Sequence, residues 1–319
     1  MTEGVAPLSW RPGISVSVSV PASSANLGPG FDAIGVGLEV RDRCVVTVGA
    51  GAGVRVEVEG EGAGEVPTDK RHLVVRAMFR AFEVIGVARP AGLHLRCTNV
   101  VPHGRGMGSS ATAIVTGVGA AYALVSLARG EEHPRLDLEA INDVAAELEG
   151  HPDNSSASVF GGVTLSWADD VHGGALPRTR TVRLRPHPTV APIVFVPDGQ
   201  LSTATARSVL PMHVRLGDAA ANSGRAALLV HALTTAPEFL VPATRDWLHQ
   251  EARRPSYAAS MALVDRLREA GHAATISGAG PSVLVVGLVG HLDEIAAFAP
   301  PGWRVTAPGF AAEGLRCEP

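Results

Sequence analysis

The first regular pattern along the chain is a strict alternation of polar and apolar residues over 14–20, which read Ile-Ser-Val-Ser-Val-Ser-Val. Such alternation is typical of a strand with one buried face. Val-x-Val patterns over 36–48 and 54–59 predict two further strands, separated by a Gly-rich turn. Shorter apolar runs predict strands over 91–98, 163–167, 191–196, 273–277, 283–288 and 303–306.

Helical patterns lie between these strands. An unbroken run of small and apolar residues over 109–127 predicts a helix buried in the core, and 137–149 forms an amphipathic helix that ends at Gly150-His151-Pro152. Further helices are predicted over 71–85, 202–209, 217–234, 238–248, 256–270 and 291–298. Because strands and helices are grouped, the pattern favours an α+β fold over a doubly wound sheet. The Gly-, Pro-, Asp- and Arg-rich segment 168–189 predicts a boundary between domains 1–170 and 171–319.

Composition indicates a globular protein, since 46% of the 319 residues are hydrophobic and 18% are charged. The formal net charge of −4 argues against a nucleic-acid or membrane-surface partner. Three widely spaced cysteines, without a Cys-x-x-Cys pair, fit a reducing compartment. We see no signal peptide and no transmembrane span, and therefore expect a cytoplasmic protein.

Lys70 is the only lysine in the chain. A Schiff-base enzyme, a Walker-type nucleotide-binding loop and a protein kinase would each have to use this one residue, which lies in a polar loop before a helix. The sequence therefore argues strongly against these three classes.

A glycine-rich turn precedes the predicted core helix. Gly106 and Gly108 allow close backbone approach, while Ser109 and Ser110 add hydroxyl donors at the helix N-terminus. A helix N-terminus has unpaired N–H groups and a positive dipole end, so it attracts anions and especially phosphate. The alternative is a Gly-rich turn, capped by Ser109, that only starts a core helix.

Two other loops have a similar composition. Residues 21–32 contain small residues together with Asn26 and Asp32 directly after the alternating strand, and 277–282 places glycines between two apolar strands. Each is also consistent with an ordinary turn. Together, the three loops suggest that phosphate is held largely by backbone N–H and hydroxyl groups.

These loops resemble the motifs of the GHMP kinase superfamily, and within it those of the homoserine kinases. The resemblance covers about residues 14–300 and rests on five stretches: 24–32, 106–111, 149–154, 203–207 and 277–281. It implies a two-domain fold, with an N-terminal domain like domain 2 of ribosomal protein S5 and a ferredoxin-like C-terminal domain. It also implies ATP-dependent phosphorylation of the side-chain hydroxyl of L-homoserine, a step in threonine biosynthesis, with Mg²⁺ as cofactor.

The resemblance also assigns nucleotide-binding residues. The ATP phosphates would bind at Pro102, His103, Gly104, Arg105, Gly106, Met107, Gly108, Ser109, Ser110, Ala111 and Thr112. Ser110 and Glu147 would hold Mg²⁺, with Glu149 close enough to be the alternative. His72 stands where many relatives have Asn beside adenine, so the contact with the base differs.

An amino-acid substrate needs arginine for its carboxylate and a carboxylate for its ammonium group. By resemblance, Arg207 and Arg253 bind the carboxylate, Asp32 and Asn26 the ammonium group, and Asn154 the reacting hydroxyl; His151, Thr203 and Gly280 complete the substrate site. Asp153, Asn154 and Arg207 are the expected catalytic residues. The resemblance leaves open whether Asp153 is a base or the proton passes to the phosphate itself. His151 could equally be a helix cap.

Two alternative functions remain open. One is a GHMP kinase for another small alcohol such as mevalonate, although Asp32 favours a substrate with an ammonium group. The other is a non-catalytic ligand sensor with the same fold. A Rossmann dehydrogenase is excluded because Gly-x-Gly-x-x-Gly with a later acidic residue is missing. The expected partners are the small-molecule substrate and, as one expected assembly, a second copy of the chain in a homodimer.

Overall fold

The computed structural model describes residues 8–169, 178–201 and 203–318. These residues form two sheets flanked by helices, which confirms the predicted α+β class. The strands are β1 Ser15–Asn26, β2 Gly30–Val48, β3 Gly53–Gly60, β4 Gly92–Asn99, β5 Val163–Ala168, β6 Thr179–Leu184, β7 Val190–Val196, β8 Ala274–Ile276, β9 Val283–Leu288, β10 Arg304–Thr306 and β11 Arg316–Glu318. The helices are α1 Leu73–Ile85, α2 Ser109–Ala128, α3 Leu138–Glu149, α4 Pro152–Phe160, α5 Thr203–Ser208, α6 Leu216–Thr234, α7 Leu240–Ala243, α8 Gln250–Arg253, α9 Ala258–Glu269 and α10 Leu292–Ala296.

The first sheet is built around the long hairpin of β1 and β2. Its main order is β11-β1-β2-β4-β3, while β5 pairs with the first half of β2 and β6 pairs with β5. The predicted alternation in β1 is confirmed, since Val16, Val18 and Val20 are buried between half-buried serines. Both β6 and β11 lie beyond residue 170, where the sequence predicts the domain boundary, so the first sheet does not end there.

The second sheet is fully antiparallel in the order β10-β7-β9-β8. One of its faces packs against α9 through an apolar cluster that includes Phe195, Met261 and Leu267. Its strands β8 and β9 flank the 277–282 loop, as the sequence predicts. The ends of the 277–282 loop are therefore fixed by two strands of a sheet that packs against α9.

Helix α2 is the central helix of the core. Fourteen of its twenty residues are buried, and the backbone of α1 lies so close that a Cβ on Gly117 would be 2.2 Å from the carbonyl oxygen of Val74. By length and composition α2 could cross a membrane, but 78% of its apolar window is buried inside the protein. The prediction of a core helix is therefore confirmed.

Several local features differ from the sequence prediction. The helix predicted over 238–248 is wrong: a 3-10 turn at Pro237–Phe239 and the short α7 occupy its first half, and no helix spans the rest. Helix α4 was missed because Pro152 was interpreted as a helix end, whereas Pro at the first helical position starts a helix well. The sequence pattern also misses strand β6, half of whose residues are exposed, and the short elements β11 and α8.

Candidate functional site

Six segments meet at one cleft of about 730 Å³. They are the turn between β1 and β2, the Gly-rich turn before α2, the junction of α3 and α4, α5, α8 and the 277–282 loop. Each of the five sequence motifs contributes lining residues to this cleft. The 203–207 motif does so through Arg207 in α5.

The Gly-rich turn has a backbone that only glycine adopts easily. Gly104, Gly106 and Gly108 have φ values of +63°, +75° and +70°. A Cβ on Gly108 would be 2.1 Å from Ser23 Oγ, so the turn also has no room for a side chain. Helix α2 starts at Ser109, and the N–H groups before its first backbone hydrogen bond at Thr112 have no partner within the helix. The turn therefore has the free N–H groups that the predicted anion site requires.

Only part of the predicted ATP-binding segment faces a cleft. Gly104, Gly106, Gly108, Ser109 and Ser110 line it, whereas the side chains of Pro102, Met107, Ala111 and Thr112 are buried in the protein. Arg105 does not line it either: its guanidinium donates to the carbonyl oxygens of Pro197 at 3.0 Å and Asp198 at 2.9 Å. This arginine fixes the turn to the chain after β7.

A second, more apolar cleft of about 910 Å³ joins the first at Ser109 and Ser110. His103 and His72 line it, together with residues of β2 and β4. Burial lowers the pKa of His72, with the nearby charge of His103 adding to the effect. The shift favours the neutral form of His72, which lines this apolar cavity beside the glycine-rich turn.

The two glutamates near the end of α3 point in different directions. Ser110 Oγ donates to Glu149 Oε2 at 2.9 Å, and Glu149 lines the cleft. Burial raises the pKa of Glu149, although the charge of His151 opposes this effect. Glu147 instead forms a two-pronged ion pair with Arg80, with an Nη2–Oε1 distance of 2.9 Å. The structure therefore brings Glu149, and not the predicted Glu147, to Ser110.

A histidine–aspartate pair lies where α4 begins. His151 Nδ1 and Asp153 Oδ1 are 2.7 Å apart, and the backbone N–H of Asn154 donates to the same oxygen at 2.7 Å. Burial by itself would lower the pKa of His151, but the hydrogen bond and charge of Asp153 outweigh it, so this pKa is raised. Asn154 Oδ1 accepts from Ser23 Oγ at 3.0 Å, which turns the amide NH₂ of Asn154 away from that contact.

Two arginines, Arg207 and Arg253, line the same cleft, and Asp32 lies beside it. Arg207 binds Asp32 in two-pronged fashion, with distances of 2.5 Å from Nη2 to Oδ1 and 3.2 Å from Nη1 to Oδ2. Arg253 also lines the cleft but is 2% exposed, and no carboxylate among the described residues pairs with it. Both guanidinium groups lie over the ring of Phe31, at 5.6 and 5.7 Å from its centroid. Groups of both charge signs are therefore within reach of each other at this position.

The turn between β1 and β2 is held in a strained backbone. Asn26, Leu27 and Asp32 all have positive φ, at 71°, 47° and 55°. The side chain of Asn26 stabilises it: Nδ2 donates to the carbonyl oxygen of Gly278 at 3.0 Å, and Oδ1 accepts from the N–H of Asp32 at 3.1 Å. Asn26 therefore joins the turn to the 277–282 loop and places Asp32 beside Arg207.

Gly280 and Asp32, two of the predicted substrate residues, do not line this cleft, and Asp32 lines a neighbouring one together with His151. Gly280 packs against the ring of Tyr257, whereas Gly278 and Ala279 line the cleft. The side chain of Thr203 lies outside the described part of the chain. Sequence reasoning missed Leu201 and the supporting Ser23, although Ser23 lies within a stretch already singled out for its small residues.

Comparisons with known proteins agree with this architecture. Residues 72–162 match the family model "GHMP kinases N terminal domain", and 226–297 match "GHMP kinases C terminal". The chain is 48% identical over 305 residues to a homoserine kinase from Streptomyces avermitilis, with 96% of each covered. It is 43% identical over 296 residues to one from Mycobacterium tuberculosis, with 92% of each covered.

The fold is shared with solved structures. A crystal structure of homoserine kinase from Cytophaga hutchinsonii superposes with a TM-score of 0.78 at 23% identity, covering 98% of this chain and 100% of the other. Fold and site thus define a GHMP kinase, a phosphotransferase that uses ATP without a Walker loop. Within that class the chain belongs to the homoserine kinase family.

Proposed function

We propose that the chain transfers the γ-phosphoryl group of ATP to the side-chain hydroxyl of L-homoserine and forms O-phospho-L-homoserine, a step towards threonine. The observation that supports this most is the placement of Arg207 and Arg253 in the same cleft as the glycine-rich turn, with Asp32 paired to Arg207 beside it. An α-amino acid has a positive and a negative group on one carbon, so it matches a site with paired opposite charges. Because the reaction consumes ATP, we place this activity in the cytoplasm.

The two arginines would bind the α-carboxylate of homoserine. Arg253 is the stronger candidate, since a buried guanidinium without an anionic partner favours a bound carboxylate. Arg207 is already paired with Asp32, so the substrate would add its carboxylate to Arg207 and its ammonium group to Asp32. Carboxylate oxygens of Asp32 and Asp153 lie within 4.8 Å of each other, and two carboxylates this close together favour an ammonium group.

The apolar cleft would hold the adenosine part of ATP, and the turn before α2 its phosphates. The donors present fit Mg²⁺ as well, because it prefers hard oxygen ligands, and Ser110 Oγ and a Glu149 carboxylate oxygen lie 2.9 Å apart beside the turn. We propose these two side chains as its protein ligands. When bound, Mg²⁺ neutralises charge on the phosphate oxygens.

The chain itself contributes positioning more than strong acid–base chemistry. Phosphoryl transfer passes through a loose transition state, so alignment and charge neutralisation account for most of the rate. Asn154 would orient the substrate hydroxyl through its amide NH₂. We propose that the hydroxyl proton passes to the transferred phosphoryl group, and that Asp153 holds His151 in place through their 2.7 Å hydrogen bond.

Release of ADP, measured with L-homoserine in the presence and absence of Mg²⁺, tests this function. We expect turnover that requires both, and a large loss in Arg207→Ala. Two analogues separate the charges: 3-aminopropan-1-ol has no carboxylate, and 4-hydroxybutyrate has no ammonium group. Both should be poor substrates, and Asp32→Asn should reduce the preference for homoserine over 4-hydroxybutyrate. Equal turnover of mevalonate, or no turnover of homoserine, would contradict the proposal.

A further inference from the structure

The short helix α8 connects three walls of the cleft. Just before it, His249 donates from Nε2 to the carbonyl oxygen of Gly28, in the turn between β1 and β2, at 2.8 Å. Gln250 accepts from the N–H of Ile276, at the start of the 277–282 loop, at 2.7 Å. At its other end, Arg253 Nε donates to the carbonyl oxygen of Ala206 in α5 at 2.8 Å. All three side chains are buried.

The carboxylate of Asp246 fixes the start of this helix. It accepts from the backbone N–H groups of Leu248, His249 and Gln250, at distances between 2.8 and 3.3 Å. Three N–H groups on one carboxylate hold the backbone in a single arrangement. The imidazole of His249 therefore projects from a rigid base.

The two ring nitrogens of His249 have opposite roles. Its Nε2 faces a carbonyl oxygen and must carry the proton, whereas Nδ1 lies 3.2 Å from Arg253 Nη1 and must accept. The imidazole is thus neutral, in agreement with the pKa of His249, which burial lowers despite the opposing charge of Asp246. The ring also stacks on Phe31 with centroids 5.2 Å apart, which fixes its orientation.

These contacts determine where the guanidinium of Arg253 points. Its Nε and Nη1 are held by Ala206 and His249, on the side of the protein, and the group lines the cleft. Without an acceptor at Nδ1 of His249, Nη1 would lose its buried partner, and the guanidinium would be free to rotate about its side-chain bonds.

We propose that His249 is a positioning residue for substrate binding: as a neutral acceptor it orients the guanidinium of Arg253 towards the α-carboxylate of the amino-acid substrate. This inference rests on the proposed function. It assigns to His249 an effect on the affinity for the amino acid and none on the affinity for ATP.

Two variants of nearly matched shape test the role of each nitrogen. In His249→Asn the amide oxygen can replace the acceptor at Nδ1, and in His249→Gln the amide NH₂ can replace only the donor at Nε2. We expect His249→Gln to raise the KM for L-homoserine about tenfold or more, with little change in kcat or in the KM for ATP. The Asn variant should retain most of the affinity. His291→Gln, at a histidine whose side chain is 55% exposed, is the control.

The outcomes are distinct. Equal increases in KM for the Asn and Gln variants, or a parallel loss for ATP, would assign His249 a packing role and overturn the inference. If the wild-type protein does not turn over homoserine at all, the proposed function fails and the inference fails with it. Thermal unfolding of each variant shows that the compared proteins are folded at the assay temperature.

Discussion

Glu149 and Glu147 offer a matched pair for testing the metal site. They lie two residues apart near the end of α3, but Glu149 contacts Ser110 and Glu147 contacts Arg80. We predict that Glu149→Gln weakens the use of Mg²⁺ and that Glu147→Gln does not. Each substitution removes one negative charge and nearly preserves the shape of the side chain, so the comparison isolates the position of the charge.

The expected size follows from the geometry. At an effective dielectric constant of about 20, two unit charges about 4 Å apart interact by about 4 kcal/mol. Glu149 is only partly buried by its accessible surface, so solvent screens part of this energy and we expect a net loss of about 2–3 kcal/mol. That corresponds to about a 30- to 150-fold decrease in kcat/KM for ATP. The Glu147–Arg80 pair is about a third exposed on each side, and losing it costs at most about 1 kcal/mol of stability.

The assay is ADP release at saturating homoserine, with Mg²⁺ varied over several decades of concentration. For Glu149→Gln, the Mg²⁺ concentration at half-maximal rate should rise, and higher Mg²⁺ should partly restore the rate. A Glu147→Gln variant that needs more Mg²⁺ than Glu149→Gln would refute the assignment. If both variants match the wild type, neither glutamate holds the metal.

Three further predictions concern the same cleft. Asp153→Asn should lower kcat about tenfold, because Asp153 is proposed only to position His151, whereas a general base contributes about 100- to 10,000-fold. A loss of several orders of magnitude in a folded variant would make Asp153 the base. Gly108→Ala should lower the melting temperature and raise the KM for ATP, because the new Cβ would lie 2.1 Å from Ser23 Oγ on a backbone with φ of +70°; an unchanged KM for ATP would argue against phosphate binding at this turn. The raised pKa of His151 makes its pairing with Asp153 stabilising below the ordinary value of about 6.5, and this stabilisation is lost as pH rises through the raised pKa. The free energy of unfolding of His151→Gln, measured in denaturant across that window, should therefore approach that of the wild type at high pH, and a constant difference would contradict the linkage.

Periodicity and glycine placement predicted most of the fold. The serine–valine alternation identified β1, and the apolar run identified α2, because both patterns report directly which faces are buried. The helix predicted over 238–248 does not form because Pro242 lies inside the segment, and because the carboxylate of Asp246 accepts from the N–H groups of the following turn. Local patterns could not reveal these competing contacts.

The candidate site was predictable in its composition but not in its geometry. Motif spacing identified both glutamates. Side chains two residues apart on a helix point about 160° away from each other, however, so only one of the two can face the cleft. The spacing of a sequence motif does not show which side of helix α3 faces Ser110. Likewise, the ion pair between Asp32 and Arg207 joins residues 175 positions apart, and the sequence gives no sign that these two substrate-binding candidates contact each other.

The burial of α2 has a consequence for how the protein opens. Its N-terminus follows the glycine-rich turn proposed to bind the phosphates, while the rest of the helix is the centre of the core and packs backbone to backbone against α1 at Gly117. Local fraying is confined to segments with few buried contacts, and this helix has many. Amide hydrogens from Thr112 onwards, where its backbone hydrogen bonds begin, should therefore exchange with deuterium only when the whole N-terminal sheet unfolds. The helix whose N-terminus would face the phosphates then keeps its place for as long as the fold itself does.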